Sequence, residues 1–268
     1  MINIKIVILG HFPHSTAIKK IKKWKSSLFK ITDISAISII SDSDGMYWEY
    51  SDDNMDKQIP QRGEEDILVA ITNVPIQNNY YARRFSNNRV CISYHEIAQI
   101  LEYHNIPKEN LVLRILYSFA LVYKYYGNSI PTMSKVSNLS HDETRGCLFD
   151  MNGFKTDIIY STHKPQVCEV CIHKHTNNPI ASNRIERNLI DSVQKELKKI
   201  NKGLYYQMID ITKKYPIYSL FISFLTAIVI GIFSSYIYDK IKESYLSTST
   251  NEAKQKDSSN NSINQKSR

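Results

Sequence analysis

The chain has 268 residues, 42% of them hydrophobic, which allows one sizeable domain plus appendages. A net charge of +8 would suit nucleic acid or anionic lipid, but the lysines are spread among abundant Asn and Ile, which argues against a nucleic-acid partner. Four cysteines without an obvious paired framework fit a reducing compartment rather than a disulfide scaffold, and the apolar run at Met1–Gly10 is too short and poorly flanked for a secretory signal.

Ile2–Leu9 reads as a core strand ended by Gly10. Ser15 is a candidate cap for a helix over Thr16–Phe29, with Ile18, Ile21, Trp24 and Leu28 on one stripe and lysines elsewhere. Those lysines read as a solvated face, with nucleic acid or lipid as the sharper alternative. Ile34–Ile40 and Met46–Tyr50 are predicted strands around a turn at 41–45, and Ser51–Glu65 is predicted to be a loop. Ile67–Ile71 and Arg89–Ser93 are further strands. His95-Glu96 opens like a zinc-protease helix, but Gln99 stands where the second histidine would have to be, so an ordinary helix start is expected. Pro107 starts a helix over Lys108–Tyr126 that is apolar nearly all round, as a buried central helix is, and Gly127 closes it. A polar loop follows to Ser140.

Three of the four cysteines then fall in one stretch. His141, Cys147, Cys168 and Cys171 form the pattern H-x5-C-x20-C-x2-C. A two-residue gap lets both thiolates of a knuckle face one ion, a distant pair can complete a tetrahedron, and sulfur with imidazole favours zinc. His141 is the expected fourth ligand, with His173, His175, His163 and Asp142 as competitors. A site closed by four protein ligands has no position for a reactive water and contributes folding energy instead. Cys91 stands apart as a core residue.

This spacing resembles the cysteine cluster of the archaemetzincins, whose pattern runs H-E-x-x-H-x-x-G-x-x-H-C-x4-C-x-M-x17-C-x-x-C. In that resemblance His141 matches the third histidine, Asp142 replaces the first cysteine, Cys147 matches the second, and Cys168 and Cys171 match the closing pair. Phe149 holds the methionine position, and the interval from Cys147 to Cys168 is one residue longer. The order of strands and helix upstream is also similar, so the resemblance covers about residues 60 to 175. It implies an α+β, zincin-like mixed sheet with packed helices and a Cys/His zinc knuckle. No H-E-x-x-H occurs in the chain. Pro131, Thr132 and Lys135 occupy those positions in one register, and the helix at 111–126 has no histidine in the other. The resemblance therefore implies a degenerate metallopeptidase fold that lost its catalytic site and kept its cysteine cluster.

Beyond this domain, placed at 1–178, an amphipathic stalk is expected over 179–214, with Ile185, Leu189, Val193, Leu197, Ile200 and Leu204 on one stripe. It would pack on its own domain or pair with another copy. Pro216–Tyr238 is uncharged over 23 residues and has tyrosines at both ends, as a transmembrane helix at 215–239 would. Ser219, Ser223, Ala227, Gly231 and Ser235 recur every fourth residue, a stripe on which two helices could approach closely. A polar tail at 245–268 is expected to be disordered. Flanking lysines and the thiols place the N-terminal domain in the cytoplasm.

The expected function is a non-catalytic, single-pass membrane protein. Its zinc-stabilised domain would bind or sense an unidentified protein or small-molecule ligand, coupled to a homo-oligomerising span. By analogy of architecture, bacterial defence is a fitting setting. The alternative is a membrane-bound zinc peptidase with a divergent site built from His95, Glu96, His104 and His141.

Overall fold

Along the first strand, Ile4, Ile6 and Ile8 pack into one apolar cluster while Val7 and Leu9 pack into another. This period of two divides the side chains between the faces of a central sheet. The same division holds in the third strand, with Ile67, Val69 and Ile71 against Leu68 and Ala70, and in the fifth, with Val90 and Ile92 against Cys91. In this computed structural model the strands are β1 (Ile2–Leu9), β2 (Phe29–Ile37), β3 (Ile67–Thr72), β4 (Ala82–Phe85) and β5 (Arg89–Ser93). Their order is β2-β1-β3-β5-β4, parallel throughout except for β4, which runs antiparallel to β5 at one edge. The structure describes residues 1–134, 140–141, 145–177, 185–200 and 203–264, with side chains to 242.

The larger cluster lies under α1 (Ser15–Lys20), α3 (Ile97–Tyr103) and α4 (Lys108–Tyr125). Twelve of the 18 residues of α4 are buried, as its nearly continuous apolar run requires. Gly127 follows at φ +67°, a conformation in which glycine has no Cβ to clash. The smaller cluster is covered by α2 (Asp52–Gln58), through Met55 and the following Ile59. Helices α5 (Ile158–His163), α6 (Glu169–Asn177) and α7 (Arg187–Leu197) complete the first side, burying Ile158, Ile172, Ile190, Val193 and Leu197.

Several expectations need correction. The helix expected over Thr16–Phe29 is α1 plus a 3-10 turn at Ile21–Lys23, because Phe29 pairs with Ile2 and opens β2. His14, not Ser15, stands at the cap and makes no side-chain capping bond. The strand expected at Met46–Tyr50 is a 3-10 turn at Met46–Trp48, since Tyr47 and Trp48 take φ of 55° and 65°, which an extended strand does not accommodate. The stretch read as a loop from Ser51 contains α2, whose first turn donates Asn54 N–H to Ser51 Oγ at 3.1 Å. The four-residue β4 carried no strand signal of its own; pairing with β5 makes it one.

The chain divides into two compact units, Met1–Gly203 and Leu204–Arg268. That division cuts the expected stalk. Its first half is α7, whose apolar face is buried in the first unit. Its second half is α8 (Leu204–Lys214), which has no buried residue. Residues 178–184, where the stalk was expected to begin, lie outside the described residues. In the second unit Pro216 begins α9 (Pro216–Asn264), a position where its missing N–H is no loss. Pro216–Lys242 has a mean hydropathy of 2.2 and is long and apolar enough to cross a membrane. At 1.5 Å per residue it spans about 40 Å, against about 30 Å of hydrocarbon. The helix continues to Asn264 over the tail expected to lack structure; no glycine or proline after Gly231 interrupts it. Residues 265–268 lie outside the described residues.

Candidate metal centre

Two short parallel bridges, His141 to Asp150 and Cys147 to Gln166, fold the segment after α4 onto itself. His141 N–H donates to the Phe149 carbonyl at 3.1 Å, Met151 N–H returns to the His141 carbonyl at 3.0 Å, and Leu148 N–H reaches the Gln166 carbonyl at 2.8 Å. Gly146, at φ +91°, makes the reversal between them possible. Cys168 sits just before α6, and Cys171 lies in its first turn, one helical turn away.

These supports place the His141, Cys147, Cys168 and Cys171 ligand atoms within 4.8 Å of one another. His141 Nε2 is 3.3 Å from Cys147 Sγ and 3.5 Å from Cys168 Sγ, and Cys147 Sγ is 3.9 Å from Cys171 Sγ. A tetrahedral zinc with ordinary bond lengths would set its nitrogen–sulfur and sulfur–sulfur edges at about 3.6 and about 3.8 Å. Phe149 N–H points at Cys147 Sγ at 3.5 Å, the kind of backbone donor that supports a thiolate. The four side chains therefore could hold a metal ion.

The electrostatics point the same way. The bond with Cys171 pulls the Cys147 thiol down to about 5, against its burial. Cys171 is driven far above the ordinary thiol range, first by that bond, then by burial and by the Cys147 charge. Burial also raises Cys168. Three thiols packed this closely cannot all ionise alone, and a divalent cation is what would let them.

The competing ligands are elsewhere. His173 is exposed. His175 is buried between Tyr125 and Phe149, with ring centroids 5.0 and 4.9 Å away, and among the described residues neither ring nitrogen has a hydrogen-bond partner. Burial holds it down to about 4, so it is a neutral core imidazole. His163 lines a separate cavity with His104. Asp142 and Lys135 lie outside the described residues. Cys91 is buried in β5, where burial pushes its thiol up to about 12 and leaves it inert.

The divergent peptidase site is not assembled. Among the described residues the one convergent group of three or more His, Cys, Asp or Glu is the cysteine cluster, and His95, Glu96 and His104 are outside it. Glu96 accepts from Lys155 Nζ and from Asn79 Nδ2, each at 2.9 Å, and these bonds hold its carboxyl below the usual range. A general base at neutral pH needs the opposite shift. Sequence reasoning missed Arg114, a buried arginine in α4 beside β4. The signal was a lone Arg inside the apolar run Leu111–Leu116.

No protein-family model matches the chain, and neither does any curated protein. Among solved structures, the chain is similar to an archaemetzincin from Archaeoglobus fulgidus complexed with malonate, at 12% identity over 64% of this chain and 99% of that one, with a TM-score of 0.43. An archaemetzincin from Methanopyrus kandleri is 14% identical over 63% of this chain and 91% of its own, at a TM-score of 0.40. A zinc-dependent peptidase from Methanocorpusculum labreanum gives 12%, 63%, 97% and 0.41 for the same quantities.

Proposed function

We propose that this chain is a non-catalytic, single-pass membrane protein whose zinc-stabilised N-terminal domain is a binding or sensing module. The observation that carries this reading is the closed donor set. One nitrogen and three sulfurs already supply the four ligands of a structural zinc and leave no position for a reactive water. His141, Cys147, Cys168 and Cys171 would hold the ion, and what it supplies there is folding energy.

The apolar helix Pro216–Lys242 supports membrane attachment, and the reduced thiols suit a cytoplasmic domain. The stripe of small residues through Gly231, which has no atom within 4 Å of where a Cβ would stand, suits self-association of the span. A sensing domain joined to one membrane helix suits a bacterial defence effector, by analogy of architecture alone.

The test is metal content and peptide cleavage of the full chain in detergent, with and without Cys168→Ser. About one zinc per chain, lost in the variant together with cooperative unfolding, and no chelator-sensitive cleavage, is the expected result. A second zinc that survives Cys168→Ser, or cleavage that chelation stops, would overturn the non-catalytic reading.

A further inference from the structure

Asp33 is the first acid in the chain, and Lys19, Lys20, Lys22, Lys23 and Lys25 all precede it. They lie in α1, in the 3-10 turn after it and just beyond, and all five are exposed. Lys22 meets Asp33 at 3.8 Å, while Lys19, Lys20, Lys23 and Lys25 have no ion pair among the described residues. The segment is fixed to α7. Trp24 Nε1 donates to the Tyr117 hydroxyl at 2.9 Å, Ser27 N–H donates to Glu196 Oε1 at 2.7 Å, and the Ser27 and Ser192 hydroxyls are 3.1 Å apart. Lys195 and Lys199 follow Ser192 and Glu196 by three residues, the spacing that puts them on the same flank of α7, and both are exposed. Asp191 on that helix is paired with Arg187 at 3.4 Å, and Glu196 is turned inward.

In the sequence these lysines are a solvated face. Folded, they gain lysines of a distant helix, and one surface collects charge of one sign. Solubility alone is served as well by interspersed charges, whereas a one-sided field draws a partner of the opposite sign. Nucleic acid fits this surface poorly. The aromatic residue of the segment, Trp24, points its polar atom at Tyr117 and not outward, and no arginine lies between Ser15 and Asp33, so stacking and bidentate donors are missing. Compact ammonium groups on flexible stems suit a mobile layer of headgroups, which asks for charge and no fixed geometry. The chain also brings such a layer close. Ile200, just after α7, is buried in the first unit, and residues 201–215 join it to the apolar helix that begins at Pro216. That interval reaches at most about 50 Å when fully extended.

We propose that the lysine surface of α1, its 3-10 turn and α7 docks on the anionic phospholipid headgroups of the membrane that the chain's own apolar helix crosses. The inference rests on the membrane-protein reading and adds a second, electrostatic contact to the span. Lysines near an anionic leaflet each contribute to such a contact, and the attraction fades beyond a Debye length. The tether raises the effective concentration of lipid at the surface, so a weak contact suffices.

The experiment is acylation of lysines, read residue by residue by mass spectrometry, on the full chain in nanodiscs of phosphatidylcholine alone or with phosphatidylserine. With phosphatidylserine, labelling of Lys19, Lys20, Lys23 and Lys25 should slow by about threefold or more, and high salt should restore it. Lys57, exposed on α2 over the other face of the sheet, should label equally in both discs. The double variant Lys19→Gln with Lys23→Gln, both at exposed positions, should lose the protection of Lys20 and Lys25. Equal labelling in both discs, equal slowing at Lys57, or full protection in the double variant would overturn the proposal. Protection by polyuridylate in phosphatidylcholine discs, with none from phosphatidylserine, would overturn it in favour of nucleic acid. A chain that enters the discs but shows no protection sinks this inference alone; a chain that stays out of both kinds of disc sinks the membrane reading, and this inference with it.

Discussion

Two buried arginines show what satisfaction of a charge looks like at the scale of one residue. Arg89, 1% exposed, gives Nη2 to Asp56 Oδ1 at 2.7 Å and to Ser86 Oγ at 3.1 Å. Its Nη1 reaches the carbonyls of Asp56 and Ile59, each at 3.2 Å, and its Nε that of Ser86 at 3.1 Å. Every nitrogen is used, and the side chain ties α2 and the turn before β5 to the sheet. Arg89→Met removes all of these bonds and leaves the carbonyls of Asp56, Ile59 and Ser86 to find other donors. A loss of about 3 kcal/mol is expected in urea unfolding. A change under about 0.5 kcal/mol would show that the network is replaceable by packing. Arg114 lacks such closure, since its Nε has no hydrogen-bond partner among the described residues. Neither burial was legible in the sequence, since Arg89 opens a strand that reads as ordinary and Arg114 sits in a helix defined by its apolar neighbours.

At the scale of elements, α7 is held by more than its apolar stripe. Glu196 is nearly buried and accepts from the Tyr117 hydroxyl at 2.5 Å and from Ser27 N–H at 2.7 Å, while Trp24 Nε1 donates to Tyr117 at 2.9 Å. Burial raises the Glu196 carboxyl, the bonds from Tyr117 and Ser27 more than offset it, and the result lies below the usual carboxylate range. A carboxyl depressed in the folded state adds stability above its unfolded pKa of about 4.3, and that contribution is lost as pH falls through the folded value. Glu196→Gln should therefore cost about 1–2 kcal/mol at pH 7, and the gap to the parent should shrink below about pH 4. A gap that is the same in acid would assign the effect to packing. The amphipathic stripe was readable from Ile185 to Ile200, but its periodicity is identical for a helix that packs on its own domain and for one that pairs with a copy. Only the nonlocal partners, Tyr117 and Ser27, distinguish them. In the same way α1 stops at Lys20 because β2 must reach β1, a constraint that helical spacing does not record.

For the whole molecule, α9 is long and apolar enough to cross a membrane, and the proposal that the span self-associates through its stripe of small residues has a direct test. Gly231→Ile places a branched side chain where two helices would meet. In detergent the variant is expected to move from oligomer to monomer by sedimentation, with domain melting unchanged because a Cβ at Gly231 would meet nothing within 4 Å beyond its own turn of helix. Unchanged oligomer size would exclude the stripe as the contact.

What the sequence determined by itself was local or fixed by spacing: β1, β3, β5, the buried α4, the apolar span and three thiols in a zinc-like pattern. Each is written in the period of its own residues, or in the two-residue gap that lets neighbouring thiols share an ion. Tertiary structure alone decided that His175 turns into the core, that the expected stalk divides between two units, and that Arg114 opens onto a cavity. Those outcomes depend on which distant segments meet. Spacing favoured His141 and left His175 as a competitor beside the cysteine pair; the bridges at Asp150 and Gln166 bring His141 to the sulfurs, and α6 turns His175 into the core.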